Sequence, residues 1–219
     1  MNFLNKYIYI YIKKMIYIII TTSINNKIGV KNSEHRKKRY LECINVLLNL
    51  VKNDTTIKPI IVENNGIRDT YLNELNCDIV YTDNNKIKYS HKGGNELIDI
   101  KEVISKYNIK DNDIIIKLTG RYKILNLDFI NLVKNNSDID AFLKFFNVCT
   151  LIYHNNKDDC VLGLFAIKCK YLKSFEYKFK RSPEVEFATY VNKNVTKIMS
   201  IKNLELECCF ANSLKILKV

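Results

Sequence analysis

The sequence predicts an α/β domain built on a mostly parallel central sheet with helices on both faces. Three observations predict it. Short β-branched runs that read as buried strands, at Met15 to Ile20, Lys58 to Val62, Asp78 to Thr82 and Ile114 to Leu118, alternate with stretches of helical periodicity. Each run ends in a polar stretch: Thr21-Thr22-Ser23, Glu63-Asn64-Asn65-Gly66, Asp83-Asn84-Asn85 and Thr119-Gly120-Arg121-Tyr122. The 219 residues are enough to bury a substantial core, and nothing among them reads as an interdomain linker. Open parallel sheets bind ligands at the C-terminal ends of their strands, so these polar stretches form the candidate binding edge.

The first fourteen residues, MNFLNKYIYIYIKK, are apolar in patches. Residues 7 to 12 are too short for a bilayer, which needs roughly 20 apolar residues. Continuing to Ile20 would place Lys13 and Lys14 near the middle of a span, and no small-residue cleavage site follows. We therefore expect no stable membrane span, an N-terminal extension over 1–14 and a single domain over 15–219. After the first strand and its hydroxyl-rich loop, a helix is expected from Ser33 to Val51, with Tyr40, Cys43, Ile44, Leu47 and Leu48 on its inner face. Arg36 and Arg39 fall in its early turns, on the side where the first strand emerges; a solvated helix face accounts for them as well.

Thr70 to Leu75 reads as a short helix. The stretch Lys92 to Tyr122 reads as a glycine turn at Gly93-Gly94, a helix with Leu97, Ile100, Ile104 and Tyr107 on one face, a turn at Asp111-Asn112-Asp113, the Ile114 to Leu118 strand and a turn carrying Arg121. Leu127 to Val133 is expected to be helical, Asp140 to Thr150 and Leu151 to His154 to be strands joined by a turn, and Cys160 to Ile167 to be a strand containing Gly163. Tyr171 to Phe175 starts a helix. Ser182-Pro183-Glu184-Val185-Glu186 is a helix start, with Ser182 at the N-cap, proline at the first helical position and acids in the first turn. Ile198 to Leu206 and Cys208 to Leu217 read as strands.

The formal charge of +12 favours an anionic partner. Most lysines, however, stand singly among Asn, Asp and Glu, and the runs His35 to Arg39 and Lys178 to Arg181 lack the interleaved aromatics of a single-strand platform, so no nucleic acid is predicted. The seven cysteines have no C-x-x-C spacing, which argues against zinc. Most lie in apolar runs, as expected of reduced thiols in a cytoplasmic protein. No glycine-rich phosphate loop of the P-loop or dinucleotide type is present.

With these residues in view, the chain resembles GT-A type glycosyltransferases, whose Rossmann-like fold is that of the nucleotide-diphospho-sugar transferases. More narrowly, the words VENNG, KGGNE and KLTGRY resemble predicted glycosyltransferases of large DNA viruses and some bacteria. The likeness runs over most of the chain from Met15 onward. It implies transfer of a sugar from a nucleotide-diphosphate-sugar donor to a glycan or related acceptor. By the same resemblance the donor-binding residues are Thr21, Thr22, Ser23, Glu63, Asn64, Asn65, Lys92, Asn95, Lys117 and Arg121. Most of that family hold a divalent metal with an Asp-x-Asp immediately after the fourth strand, where this chain has Thr119-Gly120-Arg121-Tyr122. The one Asp-x-Asp, Asp111 and Asp113, precedes the strand and reads as a turn, so no metal site is predicted and Arg121 is expected to neutralise the diphosphate, aided by Lys92 or Lys117. Lys117 also fits a paired structural lysine. A general base is expected at Glu186 first and Glu184 second, with helix capping the competing role for each. Asp140 and Asn147 are the acceptor-binding candidates. A non-catalytic nucleotide-sugar-binding protein and a basic nucleic-acid-binding protein are the competing readings.

Overall fold

The computed structural model describes residues 14–25, 33–86, 92–145, 158–211, 213 and 215–219. Residues 1–13 of the expected extension, Asn147, and the expected strand residues 146–154 lie outside them. In chain order the elements are β1 (Ile16–Thr22), α1 (Ser33–Val51), β2 (Ile57–Glu63), a 3-10 turn (Tyr71–Glu74), β3 (Asp78–Tyr81), a 3-10 turn (Asn84–Lys86), α2 (Lys92–Lys106), β4 (Ile114–Thr119) and β5 (Lys123–Ile124). They continue with α3 (Asp128–Asn135), β6 (Ala141–Leu143), β7 (Leu164–Lys168), α4 (Cys169–Ser174), α5 (Pro183–Asn194), β8 (Ile198–Ser200), β9 (Leu206–Cys209) and β10 (Ile216–Lys218).

Seven strands form the central sheet in the order β3-β2-β1-β4-β7-β6-β8. β1 runs parallel to β2 and β4, and β2 parallel to β3. β7 runs antiparallel to both β4 and β6, and β8 parallel to β6. Side chains alternate across a strand, and β1 shows why both faces must be covered. Ile18 and Ile20 pack with Tyr40, Ile44 and Leu47 of α1, while Ile19 packs with Leu97, Ile100 and Val103 of α2, and all three isoleucines are fully buried. The mostly parallel, two-face-covered sheet is as expected. The register places Thr21 beside Val62 and Thr119, so the ends of β1, β2 and β4 meet along one edge.

Where the structure departs from expectation, short-range packing accounts for it. The expected strand over Cys160 to Ile167 begins only at Leu164. Gly163 instead accommodates the ring of Tyr122: a Cβ there would lie 2.0 Å from Tyr122 Cε2. The stretch from Ile198 to Leu206 divides into β8 and β9, with Glu205 at φ 46° between them. β9 joins β5 and β10 in a second, three-stranded sheet, which the two-residue β5 was too short to announce.

Candidate functional site

At the strand-end edge, β1 and β2 are tied together through Glu63. Its carboxylate is fully buried and accepts from Thr22 Oγ1 at 2.8 Å, from the Ile24 amide at 3.1 Å and from Asn65 Nδ2. Thr22 Oγ1 also lies 3.0 Å from the Val62 carbonyl, and the Ser23 amide donates to Tyr40 Oη at 3.2 Å. Glu63 thus shapes the loop after β1, and its oxygens are occupied by the protein. Thr21 carries its carbonyl to the Gly120 amide at 2.9 Å, while its buried hydroxyl has no hydrogen-bond partner among the described residues.

Asn64 points the other way, donating to Asp99 of α2 at 3.1 Å. Asp99 also accepts from Thr82 Oγ1 at 2.6 Å and Asn84 Nδ2 at 2.8 Å, so one carboxylate gathers the loops after β2 and β3. Asn65 accepts from Asn85, which also bonds the Asn25 carbonyl and so links those loops to the one after β1. Burial raises the Asp99 pKa from 3.8 to about 6, against the three donated hydrogen bonds, which lower it. A carboxyl whose pKa is higher folded than unfolded stabilises the fold most below its unfolded pKa, and that contribution is lost as pH rises through the folded pKa. Relative to Asp99→Asn, the wild-type chain should therefore lose roughly 2 to 3 kcal/mol of stability between about pH 4 and pH 6.5. Urea unfolding of both chains at the two pH values measures it.

Arg121 follows β4 in a tight turn in which the Tyr122 amide donates to the Thr119 carbonyl at 2.8 Å. Its position is fixed from two sides. Arg39 Nε donates to the Arg121 carbonyl at 3.0 Å, and Arg121 Nε donates to the Cys209 carbonyl at 2.7 Å. Arg39 itself is held by Glu207 at 2.7 Å. Gly120 lets the turn pass under α1: a Cβ there would lie 3.0 Å from the Tyr40 ring and 2.9 Å from Thr22 Cγ2. Lys92, exposed at the start of α2, has its pKa lowered by partial burial and then by the fields of Arg121 and Arg36, with Glu96 opposing. Lys117 is buried and spoken for: its ammonium meets Glu96 at 2.9 Å, Thr119 Oγ1 at 2.7 Å and the Leu162 carbonyl at 2.9 Å. Burial alone would raise the Glu96 pKa; Lys117, Arg121 and Lys92 more than reverse it, and the pKa is lowered. The edge therefore carries Arg36, Arg121 and Lys92 beside an internally neutralised Lys117–Glu96 pair.

Several expected roles change. Glu186 accepts four backbone amides, from Lys178 at 2.7 Å, Phe179 at 3.2 Å, Lys180 at 2.6 Å and Arg181 at 3.0 Å. Burial works to raise its pKa, those amides outweigh it, and the pKa is lowered, so Glu186 is a loop clamp with little basicity to offer. Glu184, two residues earlier, makes no side-chain hydrogen bond among the described residues; its carbonyl accepts from Cys160 Sγ at 3.4 Å. Beside Cys160 stands Asp159, whose pKa burial raises. Asp140 lies at the opposite edge from the strand ends. It pairs with Lys168 at 2.5 Å, and Lys168 sits opposite Ile114, the first residue of β4, which places Asp140 at the end of the sheet away from Thr119 and Arg121. Asp111 pairs with Lys173 at 2.5 Å, and Asp113 accepts the Met15 amide at 3.2 Å, both at that same far edge.

Asn95, in the first turn of α2, is half-buried. The start of α5 closes over this region: a Cβ on Gly93 would lie 2.8 Å from Pro183 Cβ and 3.3 Å from Tyr177 Oη. Beneath it a cavity of about 20 Å³, lined by Glu96, Lys117 and Tyr177 among others, has room for about one water. A groove of about 450 Å³ lined by Asn45, Asn49, Asp54 and Asn76 lies instead beside the start of β2.

No protein-family model matches the sequence, and no curated protein matches it. Solved structures do match in fold. One is described as a nucleotide-diphospho-sugar transferase from Desulfovibrio desulfuricans G20, with TM-score 0.53 and 8% identity over 86% of this chain and 80% of that one. A second is CMP:2-keto-3-deoxy-manno-octonic acid synthetase complexed with CTP, with TM-score 0.53 and 10% identity over 86% of this chain and 90% of that one. A third is a mannosyltransferase from Pyrobaculum calidifontis in complex with GDP-Man and Mn2+, with TM-score 0.54 and 11% identity over 88% of this chain and 56% of that one. At such identities the likeness is one of fold, and the chain has the fold of the nucleotide-diphospho-sugar transferases.

Proposed function

We propose that this chain is a glycosyltransferase that takes a sugar from a nucleoside-diphosphate donor and passes it to a glycan or related acceptor. The observation that carries the reading is Arg121. It stands at the end of β4 with its backbone and Nε pinned and its guanidinium carbon 5.3 Å from the centre of the Tyr122 ring, and its two terminal nitrogens have no hydrogen-bond partner among the described residues. A planar guanidinium fixed in that way is arranged to receive phosphate oxygens. Lys92 and the first turn of α2 lie alongside, and Thr21, Ser23 and the loop shaped by Glu63, Asn64 and Asn65 flank the nucleoside. Lys117 acts indirectly, by holding Glu96.

The side chains at the end of β4 do not fit a divalent cation. They offer an arginine, a threonine and a tyrosine; the carboxylate beside them, Glu96, is occupied by Lys117, and the described residues contain no group of three or more His, Cys, Asp or Glu suited to a metal. The protein's own side chains therefore carry the chemistry. An acceptor hydroxyl attacks the anomeric carbon in line, its proton passes to a carboxylate, the bond from that carbon to the phosphate oxygen breaks, and the electron pair leaves on the diphosphate facing Arg121.

We assign the proton acceptor to Glu184. Glu184→Gln should lower kcat by about 100-fold or more with donor affinity unchanged, the usual size of a general-base effect. Glu186→Gln should instead lower the melting temperature through the 178–181 loop. Nucleoside diphosphate released from a donor sugar, dependent on acceptor, is the product that supports transfer. Pyrophosphate released from a nucleoside triphosphate and a sugar phosphate would make the chain a nucleotidyltransferase, and donor binding without turnover would make it a binding protein.

A further inference from the structure

Arg36 is the anomaly of this edge. It is only 4% exposed, yet its Nε and Nη1 have no hydrogen-bond partner among the described residues. Its remaining contacts are a long hydrogen bond from Nη2 to Tyr40 Oη, at 3.4 Å, and the face of the Tyr40 ring, 5.6 Å from the guanidinium carbon. Arg39, a turn further on, shows what the chain does with an arginine of purely structural use: it is bonded to Glu207 and to two backbone carbonyls. A buried guanidinium without an anion opposes folding, because its lost hydration is not replaced. Such a group is retained where a ligand supplies the anion.

The surroundings say which kind. Tyr40 lies on Gly120, which places Arg36 on the α1 side of the turn that carries Arg121. Tyr40 Oη already accepts from Arg36 and from the Ser23 amide, so its own proton is directed elsewhere. The Thr21 hydroxyl, at the end of β1, is likewise buried and without a hydrogen-bond partner among the described residues. Among the described residues neither Arg36 nor Arg121 makes an ion pair with a carboxylate. The one carboxylate among them whose field reaches Arg121, Glu96, is already bonded to Lys117, so the two guanidinium groups call for two negative charges, one on each phosphate of a diphosphate.

We infer that Arg36 is a phosphate-binding residue which, with Arg121, clamps the diphosphate of the donor, and that the site selects diphosphates over monophosphates. This rests on the reading of the edge as a nucleotide-sugar site. Inorganic pyrophosphate is the probe, because it reports the clamp whatever base or sugar the donor carries. Calorimetric titration of the full chain in EDTA should show pyrophosphate binding at least 10-fold tighter than inorganic phosphate. Arg36→Met should lose 30-fold or more of that affinity while its melting temperature is unchanged or higher, since an unpaired buried charge has been removed. Arg36→Lys, which keeps the charge without the fork, should lose about 10-fold, and it carries the test if the methionine variant fails to fold. A purely structural arginine would give the reverse: a lower melting temperature and unaltered affinity, which overturns the assignment and leaves the edge a nucleotide-sugar site. If the wild-type chain binds neither pyrophosphate nor any nucleoside diphosphate, the reading of the edge falls, and this inference with it.

Discussion

Arg121→Ala should weaken nucleoside-diphosphate binding by about 100-fold, the loss expected when charge-assisted hydrogen bonds to a phosphate are removed. The same change frees the Cys209 carbonyl from its 2.7 Å bond, so a modest fall in melting temperature should accompany it. Arg121→Lys separates the two effects: charge remains, the fork is gone, and affinity should fall by an intermediate factor. Titration of each variant with the nucleoside diphosphate, beside its thermal unfolding curve, gives both numbers. Unchanged affinity in Arg121→Ala would remove the arginine from the donor site.

Glu96→Ala carries the second large effect, and it is one of stability. Lys117 is 3% exposed in the middle of the sheet, and without Glu96 its ammonium keeps, among the described residues, a hydroxyl and a carbonyl. Removing one partner of a buried pair costs about 3 to 5 kcal/mol; Glu96 is itself 31% exposed, which places this case near the lower figure. For a domain of this size that is a fall of roughly 6 to 12 °C in melting temperature. The double variant Glu96→Ala with Lys117→Met should recover most of it, because no charge is then left stranded. A double variant no more stable than Glu96→Ala alone would mean that Glu96 acts through packing and not through Lys117.

How much of this was legible in the sequence depends on the range over which each feature is decided. The parallel strands were legible because β-branched runs such as Ile114 to Leu118 are buried on both faces and bounded by polar turns. Arg121 followed from the end of that strand. The burial of Arg36 was hidden in the basic run from His35 to Arg39, although a signal was there: positions 36, 40, 44 and 47 continue one apolar stripe of α1, on which Tyr40, Ile44 and Leu47 are buried. Asp99 likewise shares the buried side of α2 with Ile100 and Val103 and could have been found by the same reading. Asp140 and Glu186 were beyond such reading. The edge at which Asp140 sits is set by the antiparallel pairing of β6 with β7, and the work of Glu186 is set by a loop that folds back on its own helix, with Phe179 at φ 56°. Sequence spacing encodes neither.

The central claim is that fixed arginines, and no divalent cation, balance the donor's diphosphate. The measurement that tests it most directly is the melting temperature of the chain against UDP-, GDP- and TDP-sugars, each with EDTA and each with manganese. A donor at about 100 times its dissociation constant stabilises the folded state by about 2.7 kcal/mol, roughly 5 to 10 °C here. The predicted result is a shift of that size with one nucleotide sugar, equal in EDTA and in manganese. A shift that appears only with manganese, or none with any donor, would contradict it.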